Sequence, residues 1–163
     1  MIYDEIVRDY ADKEILDLGC GNCALLTKLA SKGIKIKGID ASAFRVLKHQ
    51  KDKKDMYFAL AEYLPLDNES VDVIISQEVL EHVFDIEQVL AEMQRVLRKN
   101  GKIFIQVPYK NLVESTNHLR LFSKESLHNL ITKNGFEVLS CKLVPYLVGE
   151  CNNNIYLKAK KVA

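Results

Sequence analysis

The apolar run Ile15-Leu16-Asp17-Leu18 passes directly into Gly19-Cys20-Gly21-Asn22-Cys23-Ala24, and a helical pattern follows. A strand, a glycine turn and a helix in that order bring backbone N–H groups and a helix N-terminus close to a ligand, because glycine has no Cβ to hold it off. This order points to an α/β fold with a small polar ligand at the first turn.

A second short apolar strand, Ile36-Lys37-Gly38-Ile39-Asp40, again ends in a carboxylate. In a doubly wound fold an acid at the tip of the second strand is placed to accept hydrogen bonds from two ribose hydroxyls, so the ligand reads as a nucleoside derivative. Gly19-x-Gly21-x-x-Ala24 also satisfies the relaxed dinucleotide fingerprint, and the loop alone leaves both cofactor classes open.

The rest of the chain alternates in the same way. Ile2, Ile6, Val7 and Tyr10 predict a short amphipathic helix, and Leu25, Leu26, Leu29 and Ala30 predict the buried face of a second helix closed by Gly33. A strand beginning near Lys35 and a helix over residues 43–50 follow, and strands are expected over Met56–Leu60 and Val71–Ser76. Asp85-Ile86-Glu87-Gln88 reads as a capping box for a helix carrying Val89, Leu90, Met93, Val96 and Leu97, with Asn100-Gly101 as its stop. A strand over Lys102–Val107 ends at Pro108, and Ser123 caps a helix closed by Gly135. Two last strands, Phe136–Lys142 and Asn154–Lys160, are too close in sequence for a crossover helix and should pair antiparallel.

Composition bounds the function. The 163 residues make one domain, and 23 basic against 22 acidic residues leave no global field toward nucleic acid or membrane. No secretory signal or spanning segment is read, so a cytoplasmic protein is expected. Cys20, Cys23, Cys141 and Cys151 read as reduced thiols, and Cys20-x-x-Cys23 lacks the second pair a metal centre needs, so no metal site is expected. The lysine-rich run Lys48 to Asp55 reads as a solvated helix end in preference to a phosphate site.

Five segments in order carry a resemblance over residues 13–160. They are Ile15 to Gly21, Gly38-Ile39-Asp40-Ala41-Ser42, Ala61-Glu62-Tyr63-Leu64-Pro65-Leu66, Asp72 to Val83 with Gln77-Glu78-Val79-Leu80-Glu81-His82 at its end, and Leu97 to Lys102 leading into Ile103 to Pro108. Together they resemble the seven-strand (class I) S-adenosylmethionine-dependent methyltransferases, and among them the type-11 domain similar to ubiquinone and menaquinone biosynthesis methyltransferases. The resemblance implies a Rossmann-like doubly wound seven-stranded sheet with five parallel strands and a C-terminal antiparallel hairpin, which sets methyl transfer ahead of an NAD-dependent oxidoreductase.

The resemblance also implies roles. Asp17 and the Gly19, Cys20 and Gly21 backbone would meet the amino-acid end of S-adenosylmethionine, the carboxylate pairing with its ammonium and the turn amides with its carboxylate. Asp40 would take the ribose, Ala41 would leave room for adenine, and Ala61 and Glu62 would contact it. Gln77 would touch the cofactor from the fourth strand. On the acceptor side stand His82 of the Glu81-His82 pair, Tyr109 and Arg120, Arg120 either binding an anionic acceptor or bracing its loop. His118, in Asn117-His118-Leu119-Arg120-Leu121-Phe122-Ser123, is the candidate general base.

Ser76-Gln77-Glu78-Val79 differs from the Asn/Asp-Pro-Pro-aromatic pattern of amino-group methyltransferases acting on adenine or glutamine, and no cysteine follows the fourth or fifth strand. A small-molecule acceptor is therefore expected, methylated at an atom the residues leave open. Relatives of this group carry a longer segment ahead of the first strand, whereas twelve residues precede Lys13 here. The expectation is one domain over residues 1–163 with a very short N-terminal lid. Three readings follow: an open enzyme, an enzyme completed by a homodimer or partner subunit, or a non-catalytic cofactor-binding protein.

Overall fold

Single residues alternating between two apolar layers build the sheet. The computed structural model describes residues 2–51, 55–109, 118–145 and 153–162. The elements are α1 (Ile2–Asp9), β1 (Ile15–Leu18), α2 (Ala24–Ala30), β2 (Ile36–Asp40), α3 (Ala43–Gln50), β3 (Met56–Phe58), β4 (Val71–Gln77), α4 (Ile86–Val96), β5 (Leu97–Pro108), α5 (Lys124–Lys133), β6 (Phe136–Pro145) and β7 (Asn153–Lys161). Ile15, Val73, Ile75 and Phe104 point into a layer with Ile2 and Ile6 of α1, Leu26 and Leu29 of α2 and Val46 of α3. Leu16, Leu18, Ile74, Ile103 and Ile105 point into the other layer, with Val89, Leu90, Met93, Leu127 and Ile131 of α4 and α5. Both faces of the sheet are thus covered, and the inner strands read as near-continuous apolar runs for that reason.

The seven strands lie in the order β3-β2-β1-β4-β5-β7-β6. β1 to β5 pair parallel with their neighbours, and β7 runs antiparallel to both β5 and β6. The terminal hairpin is as expected, and its first strand, β6, points the same way as the five parallel strands. Strand order reverses between β1 and β4, which opens a crevice beyond their C-terminal ends, where ligands of such sheets bind.

Several boundaries differ from expectation. α4 ends at Val96 and not at Asn100, because Leu97 already pairs with Val71 of β4 and Arg98 donates to Asp72 Oδ2 at 2.8 Å. β5 therefore starts five residues early, with a register shift between Val71 and Val73. β3 stops at Phe58. Ala30 is exposed, and α2 buries only Leu26 and Leu29 fully. The capping box at Asp85 is half formed: Asp85 Oδ1 accepts from Gln88 N at 3.0 Å, but the Gln88 side chain donates to Glu62 O at 3.1 Å. Lys53, Lys54, Asn117 and Cys151 lie outside the described residues.

Candidate functional site

Beyond the ends of β1, β2 and β4 lies a cavity of about 290 Å³. Gly19, Asp40, Ala41, Ala61, Glu62 and His82, all singled out from the sequence, line it. Leu60, Glu78, Val79 and Phe84 line it too and were not foreseen as site residues.

Gly19 is required by its surroundings. It sits at φ 74°, where L side chains are strained, and a Cβ there would overlap Val79 Cγ2. The turn is thereby brought against the loop that follows β4. Its amides do not face the cavity as expected. Gly19 N and Cys20 N both donate to Ile39 O, at 2.7 and 3.0 Å, and Gly21 N donates to Asp40 Oδ2 at 2.9 Å. The tip of β2 takes up donors that the sequence assigned to a ligand carboxylate. Cys20 is buried, and a Cβ on Gly38 would lie 2.7 Å from its Sγ, so Cys20 fills the space that glycine leaves in β2. Cys23 Sγ donates to Met56 Sδ at 2.9 Å. Both thiols pack within the turn, and burial pushes the Cys20 thiol up.

Asp40 anchors the turn. Besides Gly21 N it accepts Ser42 N on Oδ1 at 2.8 Å, and Ser42 itself caps α3 by accepting Arg45 N. Each Asp40 oxygen takes one amide and retains acceptor capacity for a hydroxyl. Asp17 lies deeper, outside the cavity lining, 4% exposed and without a hydrogen bond to its carboxylate among the described residues. Burial first, and the Asp40 charge second, push it up to about 7. A cationic group brought beside it would reverse that cost.

Glu62 is buried, so it is not the exposed loop acid its position also allowed. Its Oε1 accepts Phe84 N at 2.9 Å and Asp85 N at 3.4 Å, fixing the loop between β4 and α4. Gln77 turns away from the cavity and donates to Gln106 Oε1 at 3.4 Å, while Glu78, at φ 56°, takes the lining position.

The side expected to meet the acceptor is assembled from two segments. Arg120 donates through Nη1 to Leu80 O and Val83 O at 2.7 and 2.6 Å, and through Nη2 to Phe84 O at 3.1 Å. Leu119 N donates to Glu81 O at 2.8 Å. Arg120 thus braces its loop, the second of the two roles open to it. His118 stands edge-on to His82, ring centroids 4.9 Å apart, and burial followed by His82 lowers its pKa. Tyr109 bridges to Phe122 at the foot of this segment and does not line the cavity. Most of residues 109–122 and 145–154, whose Asn, Tyr and apolar side chains could line many pockets, lie outside the described residues.

Among the described residues, Asp40, Glu62 and Glu78 bring three carboxylates to the cavity and Arg45 one guanidinium. With unpaired Asp17 below, this set fits a ligand carrying ribose hydroxyls, an ammonium and a sulfonium.

Comparison with known proteins agrees with this geometry. A family described as a methyltransferase domain matches residues 16–105, from β1 into β5. The ubiquinone biosynthesis O-methyltransferase of Pelagibacter ubique (strain HTCC1062) is 34% identical over 126 residues, covering 68% of this chain and 52% of its own length. The chain thus spans about half the length of that relative. A SAM-dependent methyltransferase from Methanosarcina mazei superposes with a TM-score of 0.82 at 20% identity, covering 96% of this chain and 97% of its own. The 1,6-didemethyltoxoflavin-N1-methyltransferase of Burkholderia thailandensis, solved with its substrate and S-adenosylhomocysteine, gives 0.77 at 17% identity and covers 93% and 72%. At these identities the two structures show a shared fold.

Proposed function

Since this chain belongs to the methyltransferase-domain family, within the class I S-adenosylmethionine-dependent methyltransferases, we propose that it transfers the methyl group of S-adenosylmethionine to a hydroxyl oxygen of a small phenolic acceptor. The observation that carries the cofactor half is Asp40, held by the Gly21 and Ser42 amides at the mouth of a cavity where the strand order reverses. Oxygen as the accepting atom rests on the relative of ubiquinone biosynthesis, which is named an O-methyltransferase.

S-adenosylmethionine supplies an activated methyl on a good leaving group, so holding the acceptor in line accounts for much of the rate. Asp40 accepts the ribose hydroxyls, Ala41 and Ala61 leave space for the base, and Asp17 takes the ammonium. Glu62 orders the loop that closes the cavity, and Gln77 acts through β4 without touching the ligand. His82 faces the cavity and His118 stands behind it, on the side where the acceptor gives up its proton. A lowered pKa keeps His118 neutral and able to accept a proton at neutral pH. A phenol, which ionises far more readily than an alcohol, suits such a weak base.

The test is transfer of label from S-adenosylmethionine labelled in its methyl group to a panel of phenols, with amines and thiols alongside. A labelled methyl ether is the expected product, and His118→Ala should cut turnover about a hundredfold while leaving cofactor affinity unchanged. Label on nitrogen or sulfur alone would contradict the oxygen assignment.

A further inference from the structure

The most exposed large apolar side chain among the described residues stands at the rim of the cavity. Phe84 is 86% exposed, yet it belongs to the cavity lining together with Leu60, Glu62 and Val83. A ring left in water forgoes the stabilisation of burial, and a loop free to move would fold it away. Here the backbone holds it out. Phe84 N donates to Glu62 Oε1 at 2.9 Å, and Phe84 O accepts from Arg120 Nη2 at 3.1 Å. The next residue is fixed as well, since Asp85 N donates to Glu62 Oε1 at 3.4 Å and Asp85 Oδ1 caps α4. Both backbone polar groups of Phe84 are thus bonded to side chains from outside its own loop.

The wall at this end of the cavity is apolar. Ala41, Ala59, Leu60 and Ala61 line it, and the charged side chains that share it are already engaged. Glu62 Oε1 takes the two loop amides, and Arg45 Nη1 lies 3.8 Å from Asp40 Oδ2. Such a wall suits the faces of a flat base better than its edge.

We propose that the Phe84 ring closes over the adenine of the bound adenosyl cofactor, so that the base is selected by stacking and not by side-chain hydrogen bonds to its edge. The proposal rests on the methyltransferase reading and adds to it a residue outside the segments Gly38 to Ser42 and Ala61 to Leu66, on which the base-side roles fell. Glu62 is then a positioning residue, setting the ring through the Phe84 amide. The rival occupant is the acceptor, because Arg120 ties Phe84 O to the segment that carries His118. The base is favoured because the shorter of the two backbone bonds joins Phe84 to Glu62, which follows Ala61 in the apolar wall.

The chain contains no tryptophan, so Phe84→Trp supplies a single indole at the position in question. Its fluorescence is followed in the full chain on addition of S-adenosylhomocysteine, adenosine and, separately, catechol. The parent and Phe84→Ala are titrated by calorimetry with S-adenosylhomocysteine and S-inosylhomocysteine. Both adenosyl compounds should quench the indole and catechol should not. Phe84→Ala should lose about tenfold in affinity for both homocysteine ligands alike, because every base presents a face to stack on. Its melting temperature should match the parent's, since the ring is exposed and both bonds of residue 84 are made by backbone atoms. Four results would each overturn the proposal: an indole unmoved by S-adenosylhomocysteine, quenching by catechol alone, a loss below about threefold in Phe84→Ala, or a loss confined to the adenine ligand. Any of these, with S-adenosylhomocysteine still bound by the parent, leaves the cofactor reading intact. Absence of adenosyl binding to the parent would remove that reading and the proposal with it.

Discussion

At the tips of β1 and β2 the turn amides are already bonded within the protein, whereas the loop after β4 and the segment behind it keep buried polar atoms without partners among the described residues. Gly19, Cys20 and Gly21 donate to Ile39 O and Asp40, while both Glu81 oxygens and His118 Nδ1 are unmatched among the described residues. The first region is finished before any ligand arrives, which favours a rigid, preorganised hold on one cofactor. The second is held by its backbone and left open in its side chains, as a region that meets its chemistry only with a ligand present would be. Asp17 is the exception at the finished end, since its buried carboxyl accepts no hydrogen bond among the described residues.

That exception gives the largest expected effect. The pKa of Asp17 in the fold, about 7, lies above its ordinary 3.8, so the fold favours the protonated form. Stability tied to this group is whole below about pH 4 and is lost as pH rises through about 7, by at most about 4 kcal/mol. Asp17→Asn should flatten the fall in melting temperature of the ligand-free protein between pH 5 and 8. An ammonium beside Asp17 would drive out its proton, so binding of S-adenosylmethionine should release protons near pH 7 in the parent and not in the variant. An equal release in both would remove Asp17 from the cofactor's amino-acid end.

A smaller effect is expected where the open end is braced. Arg120→Met removes three hydrogen bonds to the carbonyls of Leu80, Val83 and Phe84, at a cost of about 2 kcal/mol in denaturant unfolding. Cofactor affinity should change by less than about threefold, because Arg120 does not itself line the cavity and Glu62 still holds Phe84 N and Asp85 N. A large loss of cofactor affinity would mean that the two ends are coupled, and the contrast drawn between them would fail.

The elements were legible because short apolar runs, helical spacing and glycine stops are local signals, and Leu16 and Ile15 divide between the two cores as any strand buried on both faces must. Gly19 and Asp40 were legible for the same reason, each lying at the end of a strand, whereas Ala61 and Glu62, beyond the end of β3, were read from the resemblance. What stayed hidden depends on contacts across the chain. The sequence does not show that Ile39 O would take the turn amides, that Glu62 would bond Phe84 and Asp85 in place of Gln88, or that Leu97 would pair with Val71 and end α4 early. Glu81 and His118 stand 37 positions apart, and only the docking of residues 118–120 onto the β4 loop makes them neighbours.

The central claim, an adenosyl cofactor held through Asp40, is tested most directly by calorimetric titration of the parent and Asp40→Ala with S-adenosylmethionine, S-adenosylhomocysteine and NAD. The account predicts one adenosyl ligand per chain, no NAD binding, and a loss of about a hundredfold in affinity on removing the carboxylate. Preference for NAD, or adenosyl binding that survives Asp40→Ala unchanged, would contradict it.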